Sequence, residues 1–99
     1  MTAPRLERTA EGRYRLIGSL TVESVPALLA ASTGMLGAGQ AEIDCAGIEH
    51  ADSAAVALML EWLRQAEAAG GQVVFRDMPE RLRAIVALSD LDEVIPLAH

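Results

Sequence analysis

The chain of 99 residues is 52% hydrophobic and 22% charged, which fits one small packed domain and excludes a disordered chain. Its net charge is −6, with no run of basic residues, so nucleic acid and anionic lipid headgroups are poor partners. Aromatics make up only 3% and Cys45 is the sole cysteine; the core must be built from Ala, Leu, Val and Ile, and a reducing compartment suits the chain.

Residues 6–10 and 14–17 read as two short strands, with Glu11-Gly12 as the tight turn of a hairpin. Their mixed alternation places them near a sheet edge. Residues 20–33 read as a helix capped by Ser24, with Pro26 in the first turn, where its missing N–H is harmless. Gly34, Gly37 and Gly39 end that helix. Residues 42–45 form the next strand, followed by a short loop. The longest helix starts at Ser53, runs to about residue 69 and stops at Gly70-Gly71. "QVVFR", residues 72–76, is another apolar strand. Asp77-Met78-Pro79 then opens a helix with Leu82, Ile85, Val86 and Ser89 at helical spacing, and Val94-Ile95 reads as a short edge strand. Strands alternating with helices imply crossover connections and a mixed sheet with helices packed on it. Ile43, Val56, Leu60, Leu63 and Ile85 are expected to share one core. The longest apolar run, residues 54–60, falls far short of the roughly 20 residues that span a bilayer. No signal peptide is visible at the start. A soluble cytoplasmic protein is expected.

The segment "AEIDCAGIEHADSAAVALML" carries the functional question. Its helix has an apolar arc holding Leu58, Trp62, Ala55, Met59, Leu63, Val56 and Leu60, wider than the roughly 100° stripe a surface helix needs. Such a helix packs on two sides, against the sheet and against either a neighbouring helix or a partner protein. At its mouth stand Asp52 and Ser53. Either side chain can cap the free N–H groups of the first turn, and negative charge there is favoured by the helix dipole by roughly 0.3–1 kcal/mol. The pair is thus a cap, a contact site, or both.

Catalytic chemistry finds little support. Ser53 lacks a glycine-flanked nucleophile setting, and His50 has only Asp44 or Glu49 to orient it. Asp44, Glu49 and Asp52 could offer oxygen ligands to a hard cation but match no dedicated loop. Cys45, inside a strand, reads as a buried small residue. The glycines form no phosphate-cradling loop. No enzyme activity, metal or cofactor is expected.

The strand ending "IDCAGIEHADSAA", followed by "LMLEWLRQAEAAGGQVVFRDMPERLRAIVALSDL", resembles the STAS domain over about residues 16–96. The matching features are the strand Asp44, a seven-residue loop, Asp52-Ser53 at the helix start, and the Gly70-Gly71 stop before a strand and a Pro-opened helix. The resemblance implies a single STAS domain over residues 1–99, a mixed sheet with helices packed on one face. In the anti-sigma factor antagonists of this family, a kinase phosphorylates the hydroxyl residue after the Asp, which is Ser53 here. The chain has Ala55 where antagonists usually carry glycine, and it lacks their final helix. Its length, "LMLEWLRQ" and the closing "VIP" look more like the MlaB-type subunit of Mla phospholipid transporters. That branch implies a non-catalytic cytoplasmic subunit bound to the transporter's ABC ATPase, in a complex with a permease and a periplasmic lipid-binding protein. It would meet the membrane only through that complex. Asp52, Ser53, Ala54 and His50 are then the expected partner-binding residues, with Leu58 and Trp62 as the next surface to consider. An anti-sigma factor antagonist switched at Ser53 is the alternative.

Overall fold

A computed structural model of the chain describes residues 3–91 and 93–97. It contains four strands, β1 (Arg5–Ala10), β2 (Arg13–Leu20), β3 (Gly39–Ala51) and β4 (Gly71–Arg76), and three helices, α1 (Val25–Ser32), α2 (Ser53–Ala68) and α3 (Glu80–Leu88). The sheet order is β1-β2-β3-β4. The β1–β2 hairpin is antiparallel, whereas β2–β3 and β3–β4 are parallel. Parallel neighbours need a crossover, supplied here by α1 and α2. Because β2, β3 and β4 advance in one direction across the sheet, crossovers of one hand deliver both helices to the same face.

Alternation along the strands separates the two faces. Leu6, Tyr14, Leu16, Ile43, Cys45, Val73 and Phe75 are buried under the helices, while Arg5, Arg13, Arg15 and Arg76 on the other face are exposed. The edge of β4 is lined by the C-terminal segment. Phe75 N–H donates to Pro96 C=O at 2.9 Å, and Leu97 forms a single parallel bridge to Phe75. The expected edge strand at Val94-Ile95 is absent: Val94 and Ile95 lie in a turn whose N–H groups donate to Leu91 C=O.

The largest departure from expectation is β3, which continues through the segment read as a loop, up to Ala51. Buried positions fall at Ile43, Cys45 and Ile48, so the period of two breaks between Cys45 and Ile48. The pairing with β2 shifts register there, between Arg15 and Ile17 and again between Gly18 and Ser19. A bulge places an extra residue in one strand and erases the alternation by which a strand is recognised. At the bulge Gly47 lies so close that a Cβ would stand 3.2 Å from Leu16 C=O. At the start of β4, a Cβ on Gly71 would overlap the Gly37 carbonyl oxygen. Gly71 thus lets two segments touch, while α2 has already ended at Ala69 and the left-handed Gly70.

The apolar arc of α2 is filled from within the domain. Ala55, Val56, Leu58, Met59, Trp62 and Ala66 are buried, against β4, α1 and α3. Ile43 and Val56 take the expected core places, but Leu60, Leu63 and Ile85 are only partly buried and pack on the margin. Trp62 fixes the α1–α2 contact, its indole Nε1–H donating to Ser32 Oγ at 3.0 Å. Leu58 and Trp62 are 1% and 0% exposed, which removes them as a partner surface. On the outer side Glu61 pairs with Arg64, and the guanidinium holds the Glu61 carboxyl below its usual range.

Candidate functional site

The site is built where β2 and β3 end and the helices begin. Ser19 lies opposite His50 and Leu20 opposite Ala51 in the parallel ladder. Asp52 N–H donates to Leu20 C=O at 3.0 Å, so Asp52 is still held by the neighbouring strand when the chain turns into α2. Its backbone is extended, as a residue at this position requires. The side chain then works in two directions. Oδ1 accepts from Ala54 N–H at 2.8 Å, closing the first turn of α2. Oδ2 accepts from Val22 N–H at 3.1 Å, tying down the turn between β2 and α1. A single carboxylate locks two chain crossings side by side.

Ser24 occupies the expected position before α1 but makes no capping bond to that helix. Its Oγ instead accepts from Thr21 N–H at 2.9 Å and donates to Ser19 C=O at 2.7 Å. The hydroxyl closes the preceding turn, which holds Val22 in place next to the Asp52 carboxylate.

Of the four residues expected at a partner contact, Ser53 is exposed as the first residue of α2, Asp52 is half-buried at the cap, Ala54 is half-buried, and His50 is exposed. The ladder and the cap bring Asp52, Ser53 and Ala54 to one surface, with His50 at the neighbouring strand end. Sequence reasoning missed Val22, which is 71% exposed. It reads as the lead-in to a helix, and only the Asp52 bond places it beside α2. With Glu23 and Glu49 also exposed, the surface is acidic with an apolar point. Among the described residues no three His, Cys, Asp or Glu side chains form a metal-holding group. Asp44 turns instead to the Ala46 N–H, accepting at 2.9 Å.

Replacing Asp52 by alanine is expected to cost about 1–2 kcal/mol, the upper range for a lost cap, because the Val22 bond goes as well. Asp52→Asn should cost about half as much: its amide oxygen can still cap α2, but its NH₂ cannot accept from Val22. Urea denaturation of both variants is the check: an Asp52→Asn variant as stable as wild type would show that the Val22 bond contributes nothing, and equal losses for the two variants would show that the α2 cap bond contributes nothing.

Cys45 is fully buried, and its thiol is pushed up to about 12, first by burial and then by the charges of Asp44 and Asp77. Only the thiolate is nucleophilic. Alkylation by iodoacetamide at pH 8 is therefore expected to be at least about a hundredfold slower than for an unfolded control. A rate near that of the control would place Cys45 outside the core. Because the folded thiol titrates above its unfolded value, this burial favours the fold below about pH 9, and the contribution falls as the pH rises toward 12.

Comparison with known proteins agrees with this geometry. The family described as "Mlab, STAS domain" matches residues 6–97. Two solved structures share the fold. One, from Thermotoga maritima and described as a candidate anti-sigma factor antagonist, superposes with a TM-score of 0.74 at 14% identity, covering 91% of this chain and 81% of its own. The other, the anti-sigma factor antagonist SpoIIAA in its unphosphorylated form, gives a TM-score of 0.74 at 19% identity, with 98% and 89% covered. No curated protein matches the sequence. The four-stranded mixed sheet with helices on one face defines a STAS-type α/β domain. The chain belongs to the MlaB-type STAS family.

Proposed function

We propose that this chain is a non-catalytic STAS subunit that docks on the cytoplasmic ABC ATPase of an Mla-type phospholipid transporter and supports its assembly and activity. The docking surface is the mouth of α2, with Ser53 at its centre and Asp52, Ala54 and His50 around it. The observation that carries the reading is the MlaB-type family match along residues 6–97. It is supported by the site, where a doubly bonded Asp52 holds an exposed Ser53 at a helix start. Protein contacts favour such rigid, pre-organised points, because little conformational entropy is lost on binding. In this reading the permease and the periplasmic lipid-binding protein belong to the same complex, and the subunit meets the membrane only through it. Among the described residues no helix is long and apolar enough to cross a membrane.

The likeness to anti-sigma factor antagonists favours a second reading, a regulator switched by phosphorylation at Ser53. Two measurements separate them. Tagged protein purified from its own cells should retain the ATPase and permease under the first reading, and a kinase-type anti-sigma factor under the second. Intact mass should show an unmodified chain under the first reading. A stoichiometric gain of about 80 Da mapped to Ser53 would establish the second.

A further inference from the structure

We propose that the open face of the sheet is a self-complementary docking surface for a second copy of this chain, stacked about a two-fold axis parallel to the strands. The strand register aligns one row of charges across the whole sheet: Glu7 beside Arg15, Arg15 beside Asp44, and Asp44 beside Arg76. A second row runs through Arg13 and Glu42 to Val74. Reversed left to right, the first row becomes its own counter-charge. A copy turned about the strand direction sets its β4 over β1 and its β3 over β2. Glu7 then faces Arg76 of the second copy, and Arg15 faces its Asp44. In the second row Arg13 faces Glu42. A two-fold axis across the strands would instead set like charge on like, so the pattern selects one orientation.

Cross-strand attraction within one sheet also favours alternating charge, but among the described residues only Arg76 and Glu42 use it, from β4 to β3. The ion pairs on this face are Arg5–Glu7 along β1, at 2.8 Å, and the diagonal Arg76–Glu42, at 3.3 Å. Among the described residues Arg13 and Arg15, on the central strand, form no ion pair. Their guanidinium forks stand ready for carboxylates from outside the sheet. Four arginines and three carboxylates also leave this face nearly neutral in a chain of net charge −6, so two copies meet where self-repulsion is least. The interleaved carboxylates disfavour a polyanion on the same arginines.

The face is small. Four strands about 4.8 Å apart and a few side-chain rows make about 300–400 Å² per copy, against the ~800 Å² per partner of a stable complex. The association is therefore weak, and salt weakens it further. It does not depend on the role assigned to the mouth of α2, which lies at the strand ends and stays free.

Sedimentation equilibrium of the wild-type chain at about 1 mM in low salt should show dimer, largely dissociated at about 0.5 M salt. Arg15→Asp and Asp44→Arg should each be monomeric, since each sets like charges opposite one another twice. An equimolar mixture of the two restores both pairs and should associate at least about tenfold more tightly than either variant alone. Should either variant fail to fold by circular dichroism, Arg13→Glu mixed with Glu42→Arg makes the same test. A wild-type chain that stays monomeric at 1 mM, single variants that dimerise like wild type, or a mixture no tighter than its components would each overturn the proposal.

Discussion

Trp62→Ala is expected to lower stability by about 3–5 kcal/mol, the range for removing a large buried aromatic. In a domain of this size each kcal/mol is worth roughly 4–8 °C, so the melting temperature should fall by well over 10 °C. Trp62 is 0% exposed and occupies the junction of α1 and α2. Its loss opens a cavity that Ala55, Ala66 and the neighbouring strands are too short or too fixed to fill. It also takes away the indole donor from Ser32 Oγ, itself 1% exposed. Trp62→Phe keeps most of the volume and loses that hydrogen bond, so its cost should be clearly smaller. Leu63→Ala, at the margin of the core, should also cost less than Trp62→Ala. Chemical denaturation of the three variants tests the ranking. A loss below about 1 kcal/mol for Trp62→Ala would mean that the α1–α2 junction is not the keystone of this core.

On the docking proposed above, Ser53→Asp is expected to weaken binding to the ATPase by at least about tenfold while leaving the melting temperature unchanged or slightly raised. For folding, a carboxylate in the first turn of α2 meets free N–H groups and the positive end of the helix dipole. At a packed interface the same carboxylate must shed water with no prepared partner, beside an Asp52 whose oxygens already hold Ala54 and Val22. The two effects therefore have opposite signs, which separates a cap from a contact. Co-purification with the ATPase, run beside thermal melts of the isolated variant, reads both. If the variant melts and binds like wild type, the contact is elsewhere, and the exposed Val22 is the first place to look.

Much of the architecture was legible because it rests on local chemistry. The hairpin turn at Glu11-Gly12, the glycine stop after α2 and the run of apolar residues in β4 follow from backbone preference and short-range periodicity. The end of β3 was not legible. "AGIEH" carries a glycine and two polar residues across a bulge, and it is a strand only because β2 lies beside it. The apolar arc of α2 showed that two sides of the helix must be covered, but not by what. Periodicity describes a face and says nothing of the element that meets it, and here α1 and α3 do. For the same reason Leu60 and Leu63, apolar and correctly spaced, lie on the core margin rather than inside it.

At the candidate site the same division holds. That Asp52 would cap α2 was decided by the sequence, since a short oxygen-bearing side chain ahead of a helix has free N–H groups within reach of its own backbone. That its second oxygen would hold Val22, thirty residues away, was decided by the tertiary structure. The bond exists because parallel pairing brings the ends of β2 and β3 together, and no local preference encodes a distance between them. The charged face divides likewise. Each Arg and each Glu or Asp could be placed on an outward position from alternation alone, but their alignment into a row across four strands is a matter of register, which only the folded sheet sets.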